Sequence, residues 1–131
     1  MAQPLEIRAI NHIARPTRRL EEATRFWVEV MGGREISRPP FSFRGSWLYL
    51  PGVQIHLIED LDTADRSTGI NTQSRHAAFS VDDINAMEAR LREHGIPYIR
   101  KAIPERGWPQ IFFQDPDGHT IEIGTYGVQD R

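Results

Sequence analysis

Three histidines and a glutamate, His12, His56, His76 and Glu122, sit in a pattern that occurs twice along the chain. His12 lies in Ile10-Asn11-His12-Ile13-Ala14 and His76 in Arg75-His76-Ala77-Ala78-Phe79, each on a strand that opens one half. Each half closes on a strand that follows a turn glycine, with a donor four residues past it: Gly52-Val53-Gln54-Ile55-His56 and Gly118-His119-Thr120-Ile121-Glu122. Folded onto each other, the halves offer all four donors to one divalent-metal centre. Neutral imidazoles with a carboxylate suit Zn, Ni, Mn, Co or Fe, whereas Mg or Ca would call for more oxygens. A single strand histidine is more often an ordinary hydrogen-bonded group; recurrence at equivalent places in a repeat reverses that reading. With no cysteine in the chain, disulfides, thiolate metal sites and thiol nucleophiles are excluded.

The elements that must position these donors follow from hydrophobic periodicity. Residues 7–14 alternate and are rich in isoleucine, which predicts a strand. Thr17 is the expected cap of a helix whose apolar face is Leu20, Ala23, Phe26 or Trp27, and Val30, ending at Gly32-Gly33. Strands near 34–38, 44–50 and 53–59 follow, with Pro51-Gly52 as a tight turn. A polar connector runs from Asp60 to Gln73. The second half repeats the order: strand 75–81, a capping signal at Ser80-Val81-Asp82-Asp83, and a helix with Ile84, Met87 and Leu91 inward that stops at Gly95. His94, beside that stop, suits the helix dipole. Strands near 97–101, 109–114 and 119–125 complete it, the last entered through Asp115-Pro116-Asp117-Gly118. The helix-ending glycine lies 20 residues after His12 and 19 after His76, so the halves are in register.

Strand alternation sets the faces. Glu122 shares its face with Thr120 and Gly124, and His56 with Gln54, while Ile121, Ile123, Ile55 and Leu57 point the other way. His119 falls opposite Glu122 and stays outside the site. Trp47 and Trp108 open what read as equivalent strands, and with Phe112 they are core residues or walls of an apolar pocket. Arg44, Arg75 and Lys101 are the cations placed to meet an anionic substrate, or are simply solvated.

At 131 residues the chain is expected to form a single domain, 1–131, built of repeats at about 7–59 and 75–126. The net charge of -2, with both signs interspersed, gives no basic stripe for nucleic acid. The N-terminal residues carry no basic flank followed by an apolar run, and no stretch approaches membrane-spanning length. A soluble, cytoplasmic protein acting on a small molecule is expected, with neither nucleic acid nor membrane as partner.

The paired strand–helix–three-strand halves, with a histidine opening each and a Gly-x-x-x-Glu strand closing the chain, resemble the vicinal oxygen chelate superfamily. The run from Phe112 to Glu122, Phe-Phe-Gln-Asp-Pro-Asp-Gly-His-Thr-Ile-Glu, is its most specific signal. The stretches Arg38–Leu48 and Ile55–Glu59 resemble a glyoxalase-I-like subgroup. The resemblance covers residues 7–126. It implies an α+β fold of two βαβββ modules in tandem, paired into an open barrel-like curved sheet. It also implies a metal triad at His12, His76 and Glu122. His56 occupies the place of a further ligand, or serves as a neighbouring base.

Branch by branch, the resemblance narrows. Glyoxalase I places glutathione contacts where this chain has Pro16, Asp60 and Thr72, although Arg15, Arg44 or Arg75 are near enough in sequence to substitute. Extradiol dioxygenases and fosfomycin-resistance enzymes carry a tyrosine ten residues before the ligand glutamate, where this chain has Phe112. The latter also use a threonine two residues after the first histidine, here Ala14. Bleomycin-binding proteins lack the ligands that this chain keeps. The expected function is therefore a metal-dependent lyase or isomerase of the glyoxalase I type. Its substrate is a small carbonyl or hydroxycarbonyl compound, deprotonated by Glu122 or His56 with a metal-stabilised enediolate. The alternatives are an Fe(II)-dependent dioxygenase and a non-catalytic small-molecule binding or resistance protein. By the same analogy the chain forms a homodimer with shared active sites, His12 and His56 of one protomer facing His76 and Glu122 of the other.

Overall fold

In each half of the chain the first and last strands end up side by side. The computed structural model describes residues 2–65 and 69–126. It falls into two units, Met1–Leu61 and Asp62–Arg131. The first holds β1 (His12–Thr17), helix α1 (Leu20–Arg25), β2 (Arg34–Ile36), β3 (Gly45–Leu50) and β4 (Val53–Glu59). The second holds β5 (His76–Ser80), α2 (Ile84–Glu93), β6 (Ile99–Ala102), β7 (Pro109–Gln114) and β8 (Thr120–Gly124). The strand orders are β1-β4-β3-β2 and β5-β8-β7-β6. β1 with β4 and β5 with β8 are parallel, and the remaining pairs are antiparallel. These are the two tandem βαβββ modules of the expected α+β fold.

The registers repeat as well as the order. Ala14 stands beside His56 and Ala78 beside Glu122; His12 stands beside Gln54 and His76 beside Thr120. On the other flank Trp47 pairs with His56 and Phe112 with Glu122. Phe112, not Trp108, is thus the counterpart of Trp47. Trp108 precedes β7 and packs under Arg106, whose guanidinium lies 5.0 Å from its ring centroid. Reading the aromatic residue nearest each strand start as equivalent missed a four-residue offset.

Alternation along the strands builds each core. In the first unit Leu48, Leu50, Ile55 and Leu57 share one face and are buried together with Leu20, Ala23, Phe26 and Trp27. Helix α1 packs on β3 and β4, where the Thr24 hydroxyl meets Ser46 Oγ at 2.6 Å. In the second unit Ile111, Phe113, Ile121 and Ile123 form the buried face of β7 and β8, and Ile84 and Leu91 are the buried residues of α2. Met87 is only half-buried. Helix α1 runs on into a single π-helical turn, Phe26–Val30, closed by Met31 N–H donating to Phe26 O at 3.1 Å. That wider turn explains why Phe26 and Trp27 are both buried where a regular helix face would take one.

Several boundaries move. The strand expected at 7–14 begins at His12, because β4 starts at Val53 and the register leaves nothing opposite residues 7–10. Ile7 and Ile10 are correspondingly exposed. Thr17 does not cap α1; Arg19 holds that position. Thr17 stays in β1 because Asp60 N–H donates to its carbonyl, and its hydroxyl accepts from Arg19 N–H at 3.0 Å. In the second unit Asp83 caps α2 as its signal implied, accepting from Ala86 N–H at 3.1 Å. The strand expected at 97–101 runs from Ile99 to Ala102. Of the connector, Asn71 accepts from Ser74 through its backbone oxygen, while residues 66–68 lie outside the described residues.

The turn into β8 contains a strained charge. Asp115 Oδ1 accepts from Asp117 N–H at 3.0 Å and His119 N–H at 2.9 Å, whereas its Oδ2 is buried with no hydrogen bond. Burial pushes the Asp115 carboxyl up to about 6, opposed by His119 and the two N–H bonds and assisted by Asp117. An acid whose pKa rises on folding stabilises when protonated, and that contribution is lost as pH climbs through the folded value. Asp115→Asn keeps the accepting oxygen and removes the charge. Its melting temperature should exceed that of the parent at about pH 8, by the equivalent of roughly 1–3 kcal/mol. The gain should fade as pH drops through about 6 toward 4, as followed by thermal unfolding across pH.

Candidate functional site

On the first unit the parallel register of β1 and β4 brings the two histidines into contact. Their rings stack at 3.9 Å between centroids with an 11° interplanar angle. Trp47, on the far side of β4, stacks on His56 at 4.1 Å and 7°. Neighbouring strands lie about 4.8 Å apart, so Trp47 directly opposite His56 and His12 two residues off on the same face pack against it as a column. His12 Nδ1 donates to Asn11 Oδ1 at 2.8 Å, which leaves its Nε2 lone pair free. His56 Nε2 donates to Gln54 Oε1 at 2.9 Å. Burial first, then the charges of His12 and Arg38, lower the His56 pKa, so this imidazole is neutral near neutral pH. Beside the column opens a cavity of about 480 Å³, bounded by His12, His56, Arg38, Phe41, Phe43 and Trp47 among others.

On the second unit the same slots hold an acid and a base. His76 Nε2 lies 3.0 Å from Glu122 Oε1, and His76 Nδ1 donates to Ser74 O at 2.7 Å. With Nδ1 committed as a donor, Nε2 is the ring atom that faces the carboxylate oxygen. Two acceptors at that distance repel unless a proton or cation lies between them. The other oxygen, Oε2, accepts from Gln110 Nε2 at 3.0 Å and from the Tyr126 hydroxyl. Phe112 is buried on this face, its ring edge-on to His76 at 5.8 Å.

Gly124 makes the Tyr126 contact possible. It shares the Glu122 face, and a Cβ there would come within 2.8 Å of the Tyr126 ring. The phenol folds back over this bare backbone to reach the carboxylate. Burial first, and then Glu122 through its hydrogen bond and charge, push the Tyr126 phenol well above its usual range.

Of the four residues read from the sequence as donors, the structure joins His12 with His56 and His76 with Glu122. Among the described residues, neither unit by itself gathers three or more His, Asp or Glu side chains into a metal-binding group. Arg44 is not available to a substrate, since it is paired with Glu21 and, at 2.8 Å, with Glu59. Lys101 lies over Phe112 at 5.3 Å and donates to Thr72 at 3.1 Å. Sequence reasoning missed Gln110, Tyr126 and Arg38. Gln110 could have been found from hairpin register, because it stands opposite Gly124. The Tyr126 contact had no pattern to announce it, lying past the last strand.

Residues 9–123 match the Glyoxalase/Bleomycin resistance protein/Dioxygenase superfamily, and the chain belongs to it. It is 35% identical over 125 residues to Glyoxylase I 4 of Arabidopsis thaliana, covering 92% of this chain and 72% of that protein. It is 28% identical to the metallothiol transferase FosB of Shouchella clausii, covering 95% and 85%. A Bacillus anthracis protein assigned to the glyoxalase family shares the fold with a TM-score of 0.73 at 25% identity, over 97% of this chain and all of that one. No helix among the described residues is long and apolar enough to cross a membrane.

The Tyr126 geometry is open to titration. Gly124→Ala should displace the ring, and one late-ionising tyrosine should move toward the usual value of 10.0 in alkaline difference spectra. Spectra identical to those of the parent would mean that Tyr126 is not folded over Gly124.

Proposed function

We propose that this protein is a divalent-metal-dependent lyase or isomerase of the glyoxalase I type that moves a proton on a small substrate with two adjacent oxygens. The observation that carries the reading is the duplicated donor pair, held in matching register on the two sheets. The donor chemistry fits an ion. His76 Nε2 and Glu122 Oε1 lie 3.0 Å apart, a contact that a cation between them would satisfy as well as a proton does, and His12 Nε2 is free. These three atoms would hold the metal. His56, neutral and tied to Gln54, joins them once Gln54 releases it, or serves beside them as a base. The bound ion would supply Lewis acidity toward the substrate oxygens.

Glu122 is the base that takes the substrate proton. Gln110 and Tyr126 hold Oε2, so Oε1, which faces His76, is the oxygen that would leave the ion to take the proton, and the buried Phe112 beside it keeps bulk water away. Phe112 opposite Glu122 and Ala14 opposite His56 offer no hydroxyl where dioxygenase and fosfomycin-type sites would be expected to use one. Proton transfer therefore takes precedence over both. The transferase relatives support a second reading, thiol transfer at the same donors, which requires thiol to be consumed in step with product.

The four donors belong to one centre, shared in a homodimer where His12 and His56 of one protomer face His76 and Glu122 of the other, and the two units work as one domain. Elemental analysis should find about one transition-metal ion per chain, and none in a His76→Ala/Glu122→Ala variant. No metal in either after reconstitution would sink the reading. Glu122→Gln should lower kcat by about 100-fold or more with the fold intact. Mixing His12→Ala with Glu122→Ala protomers should restore part of the activity if sites are shared across the dimer; no recovery would place each site within one chain.

A further inference from the structure

The first unit contains a cation and an aromatic wall that the donor set does not use. The Arg38 guanidinium lies 4.9 Å from the ring centroids of both Phe41 and Phe43. Its Nη2 donates to Phe43 O at 2.8 Å. The two phenylalanine rings stack at 5.1 Å, and Phe41 tilts against Trp47 at 6.2 Å. Gly45 is required by the Leu57 carbonyl, which a Cβ there would approach to 2.4 Å, and the bare backbone also lets the guanidinium lie close, 3.1 Å from that Cβ position. Where Arg44 is neutralised by two glutamates, Arg38 has no carboxylate against it among the described residues. A guanidinium carries five N–H donors in a plane, so most of its capacity remains unspent.

Phe41 and Phe43 stay 46% and 44% exposed, at the edge of the cavity that His12 and His56 also line. Two half-exposed phenylalanines around an uncompensated cation are poorly suited to solvent alone. The stacked His12–His56–Trp47 column runs from the metal donors directly to this wall. A cavity of about 480 Å³ is in the size range of small-molecule sites.

We propose that this pocket selects an aryl 2-hydroxy or 2-oxo acid, its ring against Phe41, Phe43 and Trp47 and its carboxylate on Arg38. One carboxylate oxygen and the adjacent hydroxyl or carbonyl oxygen would be the vicinal pair directed at the ion that the histidines would hold, and the second carboxylate oxygen accepts from Arg38. The assignment deepens the proposed function and rests on it. A short aliphatic substrate would leave both rings and the guanidinium without a role.

The test is calorimetric binding to the metal-loaded full chain, with mandelate, lactate (no ring) and 1-phenylethane-1,2-diol (no carboxylate) as probes. Mandelate should bind on the order of tenfold more tightly than either of the others. Arg38→Gln should bring mandelate down to the level of the diol while leaving the diol unchanged, and Arg38→Lys should recover part of the loss. A Phe41→Ala/Phe43→Ala variant should bring mandelate down to the level of lactate. Equal binding of mandelate and lactate, or tighter binding of S-hexylglutathione, would overturn the proposal. So would an Arg38→Gln variant that weakens all probes alike, or a phenylalanine variant that keeps its affinity and only dissociates an oligomer. Thermal unfolding of each variant shows that it is folded. Selective mandelate binding without turnover of any tested hydroxy or oxo acid would sink the lyase reading and leave the pocket standing. Turnover of aliphatic acids without selective aryl binding would do the reverse.

Discussion

Both candidate donor pairs depend on parallel strand pairings, β1 with β4 in the first unit and β5 with β8 in the second. Parallel neighbours cannot be joined by a tight turn, so a helix and two further strands must intervene. That crossover brings residues from the start and end of each half within a ring's width of each other. The arrangement is also unforgiving. Side chains alternate faces, so a slip of one residue between β5 and β8 would send Glu122 into the apolar layer of Ile121 and Ile123. The buried isoleucines on one face therefore fix the position of the carboxylate on the other.

Identical backbone slots have been filled with different chemistry. In the first unit the slots beside β4 hold flat rings, and His56 sits between His12 and Trp47 in a stack that keeps it neutral and fixed in orientation. In the second the same slots hold Glu122 and His76, tied by polar contacts to Gln110, Tyr126 and Ser74. The first unit holds stacked imidazoles beside a cavity, and the second a carboxylate with one oxygen on Gln110 and Tyr126 and the other against His76. Asymmetry of this kind suits the proposed proton transfer, since binding and base functions make opposite demands on solvation.

Much of this was written plainly in the sequence. The turn glycines Gly52 and Gly118 have positive φ, as their turns require, and the donor four residues beyond each fell on the polar face by alternation alone. What was not legible came from contacts without a local pattern. Residues 7–10 alternate like a strand, yet no partner strand extends far enough to pair with them. Trp108 looked equivalent to Trp47 until the hairpin register showed Phe112 in that place. Tyr126 reaches Glu122 only because Gly124 leaves room, and Arg38 turns toward two phenylalanines in a loop with no periodicity. Each of these depends on neighbours distant in sequence or on the absence of a side chain.

The π-helical turn after α1 bears on how such a duplicated chain could drift without losing its site. From His12 to Gly32 the first half spends 20 residues, whereas from His76 to Gly95 the second spends 19. A π-turn is an α-helix that has taken in one residue too many, and Phe26–Val30 is where the surplus is lodged. On either side of it the strands keep the spacing that sets their donors in matching slots. The crossover helix thus acts as a length buffer, a place where an insertion can be absorbed as a bulge instead of being passed on as a shift in register. Changes in length over the history of this repeat would be tolerated there, and selected against between Gly118 and Glu122.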